Sequence, residues 1–80
     1  MSKLTQTQAD VLHYIKFYIK DKSMSPTRTE ISESFGWKSD NAAQCHITAL
    51  VKKGAITTVK GSGRSIVPIK GFKVEVEQGQ

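Results

Sequence analysis

Asn41, Gln44, Cys45, Thr48 and Lys52 fall at i, i+3, i+4, i+7 and i+11, a spacing that puts them on one face of a single helix. That face offers amide, thiol, hydroxyl and ammonium groups and no carboxylate. Such groups suit the base edges of a DNA groove. An Asn or Gln amide binds adenine through two hydrogen bonds, and small side chains pack on the thymine methyl. Asn41 or Gln44 would take the adenine, with Ala42 and Cys45 against thymine methyls. The other face of the segment holds Ala43, Ile47, Leu50 and Val51 at i, i+4, i+7 and i+8, the buried stripe of an amphipathic helix. A merely solvated helix has the same two faces, so the flanking elements decide between the two readings.

The other reactive residues do not assemble into a catalytic or metal site. Cys45 is followed by His46, but consecutive helix residues point about 100° apart, and no third group stands by to orient the imidazole. His13 lies among apolar residues of an earlier helix and reads as packed or half-exposed. Two separated histidines and one cysteine do not make a metal site. There are no paired carboxylates, and Gly61-Ser62-Gly63 is too short to cradle a nucleotide. The expectation is no enzyme, no cofactor and no small-molecule substrate. Cys45, exposed in an interface, would be sensitive to oxidation.

The elements around the polar face can be read from caps and stops. Thr5-Gln6-Thr7-Gln8 fits a capping box that opens a first helix running to about Lys20, with Val11, Leu12, Ile15, Tyr18 and Ile19 as its apolar face. Asp21 to Pro26 reads as a loop. Thr27-Arg28-Thr29-Glu30 is a second capping box. It opens a short helix that buries Ile31 and Phe35 and stops at Gly36. Trp37 sits in the turn, placed to wedge between the second and third helices. Ser39 caps the third helix and Asp40 occupies its first turn, where a negative charge is favoured. Lys52 and Lys53 suit its last turn, and Gly54 ends it.

After Gly54 the pattern changes. Ala55 to Lys60 and Ser65 to Ile69 are rich in β-branched residues and flank Gly61-Ser62-Gly63-Arg64, which predicts a β-hairpin. Pro68 makes its second strand an edge strand. Which face of either strand points inward does not follow from the sequence, because Ile56, Val59, Ile66, Val67 and Ile69 keep no single alternation. Three helices followed by a hairpin give an α+β fold, the winged helix-turn-helix, over residues 1–70. Such a fold presents its third helix to the major groove. Lys52, Lys53, Lys60, Ser62 and Arg64 would then contact phosphates from the helix end and the wing, Arg64 also reaching a minor groove. Arg28 and Lys38 would hold the backbone on the other side. Residues 71–80 form a tail in which Phe72, Val74 and Val76 alternate with charged residues. It reads either as a flexible terminus or as a strand that pairs with its copy in a second subunit.

Length and charge agree with this reading. Eighty residues support one small core and one domain. Residues 1–70 hold 11 Lys/Arg against 5 Asp/Glu, or +6, so the folded part is the basic part. That balance suits a polyanionic partner. One cysteine forms no internal disulfide, and neither an apolar signal segment nor a membrane-length apolar run is found. A cytoplasmic protein is expected.

Pro26-Thr27-Arg28, Glu30-Ile31, Gly36-Trp37-Lys38-Ser39, Asn41-Ala42-Ala43, His46, Ala49-Leu50, Lys53-Gly54 and Gly61-Ser62-Gly63-Arg64 together resemble the DNA-binding domain of the LexA family of bacterial SOS-response repressors. The resemblance covers roughly residues 4–69. It implies a winged helix, a third helix in the major groove, and a homodimer on an inverted-repeat operator in double-stranded DNA. Ser39, Asn41 and Ala42 match the family's reading helix and join Gln44, Cys45 and Thr48 as the base-reading set. Two departures stand out. LexA continues into a self-cleaving Ser-Lys peptidase domain that these 80 residues do not contain, so a repressor that is not released by its own cleavage is expected. Gln44 and Cys45 replace a common acidic pair, which alters base preference there. The alternative is a winged-helix module that binds a protein, as an antagonist of a phage or host regulator.

Overall fold

Each helix begins where a hydroxyl side chain takes over an unpaired backbone N–H. Thr5 Oγ1 accepts from the Gln8 N–H at 3.1 Å while Gln8 Oε1 accepts from the Thr5 N–H at 3.0 Å. Thr27 and Glu30 repeat the exchange at 3.1 and 2.9 Å. Ser39 Oγ accepts from the Asn41 N–H at 3.1 Å. These caps open α1 (Gln6–Lys22), α2 (Arg28–Phe35) and α3 (Asp40–Lys52), at the three positions where the sequence predicts them. They were located in a computed structural model that describes residues 3–59 and 66–77.

The helix ends follow from left-handed residues. Gly36 (φ 74°) closes α2 with N–H bonds from Gly36 to the Glu33 carbonyl and from Trp37 to the Ser32 carbonyl. Gly54 (φ 82°) closes α3 in the same pattern: Gly54 N–H bonds to Val51 O at 3.1 Å and Ala55 N–H to Leu50 O at 2.9 Å, a Schellman motif. α1 runs two residues past its expected end at Lys20 and stops at Ser23, which takes φ 60° without being glycine.

Two short antiparallel strands follow, β1 (Ile56–Thr58) and β2 (Ile66–Pro68), in the register Ile56 to Pro68, Thr57 to Val67 and Thr58 to Ile66. That register settles the inward face, with Ile56 and Ile66 buried, Pro68 half-buried beside them, and Thr57 and Val67 turned to solvent. The expected wing turn, Gly61 to Arg64, lies outside the described residues. The architecture is a winged helix-turn-helix, three helices on a two-stranded sheet.

One core joins all of it. Leu4, Val11, Leu12 and Ile15 meet Ile31 from α2, Ala43, Ile47 and Leu50 from α3, and Ala55, Ile56 and Ile66. Val51, expected in the buried stripe, is 39% exposed: it lies about 100° beyond Leu50, past the arc that α3 presents to the core. Phe35, expected to be buried, is half-buried. No described helix is long and apolar enough to cross a membrane.

The segment after Lys70 folds back on the body. The Leu4 N–H donates to the Glu75 carbonyl at 2.8 Å and the Glu77 N–H to the Leu4 carbonyl at 2.7 Å, a parallel bridge between Leu4 and Val76. Phe72, Val74 and Val76 pack, half-buried, on the core. Their alternation thus has a use inside the chain that neither expectation for the tail named. A chain ended at Lys70 should lose about 2–3 kcal/mol of stability. Thermal melts of both lengths check this, and identical midpoints would contradict it.

Candidate nucleic-acid interface

The turn between α2 and α3 is held from several directions. Ser32, buried in α2, donates its hydroxyl to the Ser39 carbonyl at 3.2 Å. Thr29 donates to Asp40 Oδ2 at 2.8 Å, so the one carboxylate at the start of α3 is tied back to α2. Trp37 lies between stacked rings, with Phe35 at 4.9 Å and His46 at 5.1 Å between centroids. Phe35 meets Tyr14 of α1 edge-on at 5.8 Å. An aromatic ladder therefore runs from α1 across the turn to α3, and the wedge role expected of Trp37 is the observed one. His46 is drawn into that ladder, while Cys45 beside it is exposed.

With α3 so fixed, Asn41, Cys45 and Thr48 on it and Ser39 at its N-cap are exposed, while Ala42 and Gln44 are half-buried. Of the expected reading set, Asn41, Gln44, Cys45 and Thr48 share one side of α3, Ser39 caps its start, and Ala42 lies about 100° round from Asn41. Gln44 makes two side-chain hydrogen bonds: its Oε1 accepts from Arg28 Nη1 at 2.7 Å, and its Nε2 donates to Thr48 Oγ1 at 2.9 Å. Arg28, expected as a backbone contact flanking the motif, instead donates to Gln44 on the outward face of α3.

The expected phosphate contacts divide. Lys38 and Lys52 are exposed. The Lys53 ammonium is engaged within the chain, donating to the Lys3 carbonyl at 2.6 Å and to Gln8 Oε1 at 2.9 Å. Lys60, Ser62 and Arg64 lie outside the described residues. Among the described residues no group of three or more His, Cys, Asp or Glu could hold a metal ion.

Residues 1–65 match the family model of the LexA DNA binding domain. The chain belongs to that family. It is similar to LexA repressor 1 of Pseudomonas putida, 44% identical over 78 residues that make up 98% of this chain and 38% of the relative. It is also similar to the LexA repressor of Pseudomonas aeruginosa, 47% identical over 73 residues, or 91% of this chain and 35% of the relative. The LexA repressor of Ectopseudomonas mendocina matches over the same shares, again at 47% identity. The chain therefore spans less than two-fifths of the length of these LexA relatives. The family resemblance carried by the capping-box, turn and wing residues is the family found.

Three contacts that hold α3 were not foreseen: Thr29 with Asp40, Ser32 with the Ser39 carbonyl, and Arg28 with Gln44. The Gln44 to Thr48 pair had a sequence signal, its i, i+4 spacing on a helix. Arg28 and Gln44 are 16 apart and had none. Removing the middle of the ladder, Trp37→Ala, should cost about 2–3 kcal/mol. Cys45→Ala should stay within about 0.5 kcal/mol of the parent. Denaturant unfolding measures both, and a neutral Trp37→Ala would refute the ladder's structural role.

Proposed function

We propose that this chain binds double-stranded DNA by sequence and acts as a LexA-like transcriptional repressor, with α3 in the major groove. Membership of a DNA-binding domain family supports the class of partner. The observation that carries the residue-level reading is the outward face of α3: polar, with its one carboxylate, Asp40, bonded to Thr29 at the helix start, and held at a fixed rotation by the core behind it. On this reading Ser39, Asn41, Ala42, Gln44, Cys45 and Thr48 meet base edges, with Asn41 at an adenine. Lys38, Lys52 and the wing residues Lys60, Ser62 and Arg64 meet phosphates. At the end of α3 Lys52 takes that role rather than Lys53, which would first have to give up two hydrogen bonds.

One winged helix reads about one half-site, so useful specificity requires two copies on an inverted repeat. Pairing of two copies on the DNA does not use the tail, whose apolar side chains are already packed against their own core. Repression follows from occupying a promoter in the bacterial cytoplasm.

Asn41→Ala should weaken binding to the selected operator by about 1–3 kcal/mol and relax the choice of base at one position. Lys52→Ala should weaken all sequences alike and lower the salt slope by about one. Gel-shift titrations across a salt series measure both. An operator affinity untouched by Asn41→Ala would remove α3 from the interface. Binding indifferent to salt between about 50 and 200 mM would favour a protein partner instead.

A further inference from the structure

Resting on the major-groove reading above, we infer that Arg28, Gln44 and Thr48 form one donor-presenting unit that selects guanine at a single position of the half-site. An arginine has donors and no acceptor. The Arg28 Nη1, 2.7 Å from Gln44 Oε1, therefore fixes which end of the amide faces it. The amide nitrogen is then the end that faces Thr48, whose Oγ1 accepts from it at 2.9 Å.

This arrangement changes what Gln44 can read. A glutamine with both ends available suits adenine, which sets the N7 acceptor beside the N6 donor. Here one lone pair of the oxygen already accepts from a cation, which draws electron density from the other and weakens it as an acceptor for the adenine amino group. What the unit can still offer a groove is the second N–H of the Gln44 amide and the remaining N–H groups of the guanidinium. Gln44 is neutral, so it leaves the Arg28 charge uncompensated. Guanine is the base that sets two acceptors, N7 and O6, side by side in the major groove. Adenine and cytosine place an amino group there, donor facing donor. Gln44 is thus a reading residue, and Arg28 both positions it and donates beside it.

Arg28 is exposed, and the α2 capping box uses the Thr27 and Glu30 groups, so Arg28→Ala leaves the cap intact. The test is selection of bound duplexes from a random pool by the full chain, Gln44→Glu and Arg28→Ala, with thermal melts confirming that each is folded. The full chain is expected to favour guanine at one position of each half-site by about 5- to 100-fold. Gln44→Glu should move that position alone toward cytosine, whose amino group donates to the free carboxylate oxygen. Arg28→Ala should release the amide and move the same position toward adenine, with weaker binding overall. A defined half-site that is the same for all three proteins, or adenine at that position in the full chain, overturns the guanine unit and leaves the DNA-binding reading standing. A full chain that selects no sequence overturns both.

Discussion

The rotation of α3 about its own axis is the constraint on which the rest depends. Ala43, Ile47 and Leu50 are buried against the other helices and the sheet, and one residue of helix corresponds to about 100° of rotation. Turning α3 by one position would bring Gln44 toward the core and Leu50 or Ile47 into water. Each large aliphatic side chain so exposed would forfeit about 1.5–3 kcal/mol, whereas a surface hydrogen bond such as that of Gln44 with Thr48 contributes on the order of 1 kcal/mol net. The core therefore decides which face looks outward. The polar residues inherit the position and need supply little of the energy that maintains it.

The direction in which α3 points is set by different groups. Ser32 and Thr29 bond to the first residues of α3 from α2, and the stacked rings of Phe35, Trp37 and His46 fill the angle between them. At the other end the Schellman motif at Gly54 turns the chain into β1, and Lys53 reaches back to Lys3 and Gln8. Lys3 adjoins Leu4, which is paired with the tail through Val76. Both ends of α3 are thus anchored, one to α2 and the other to the N-terminal segment of α1. Asp40 holds its carboxylate at the start of the helix, where a negative charge is favoured, and bonds it to Thr29.

The fold was legible in the chain wherever a local rule acts. Capping boxes at Thr5 and Thr27, the Ser39 cap and the glycines at 36 and 54 are decided by a few neighbouring residues, and they fix the helices nearly to the residue. The winged-helix class follows from their order. What escaped is what depends on contacts far apart in sequence. Val67 is apolar yet faces solvent, because strand register rather than hydrophobicity decides its side. The use of Phe72, Val74 and Val76 against Leu4 spans nearly the whole chain. Ser23 ends α1 in a conformation that favours glycine, which no turn rule would select. Within the site, the identity of the outward residues was readable from helical spacing, but the contact of Arg28 with Gln44 required the packing of α2 on α3.

The chain belongs to the LexA DNA-binding domain family, and α3 turns a polar face outward on which Gln44 is bonded to Arg28 and Thr48; those two observations support the proposal that this face reads a DNA groove. The most direct measurement is amide chemical-shift mapping of the chain titrated with a duplex recovered by selection. The result expected is a continuous footprint over residues 39–48, extending to Lys52 and to the Arg28 side chain, with the solvent face of α1 around His13 and Phe17 unmoved. A footprint centred on α1 or on the tail, with residues 41–48 unshifted, would contradict the assignment of α3 as the surface that reads DNA.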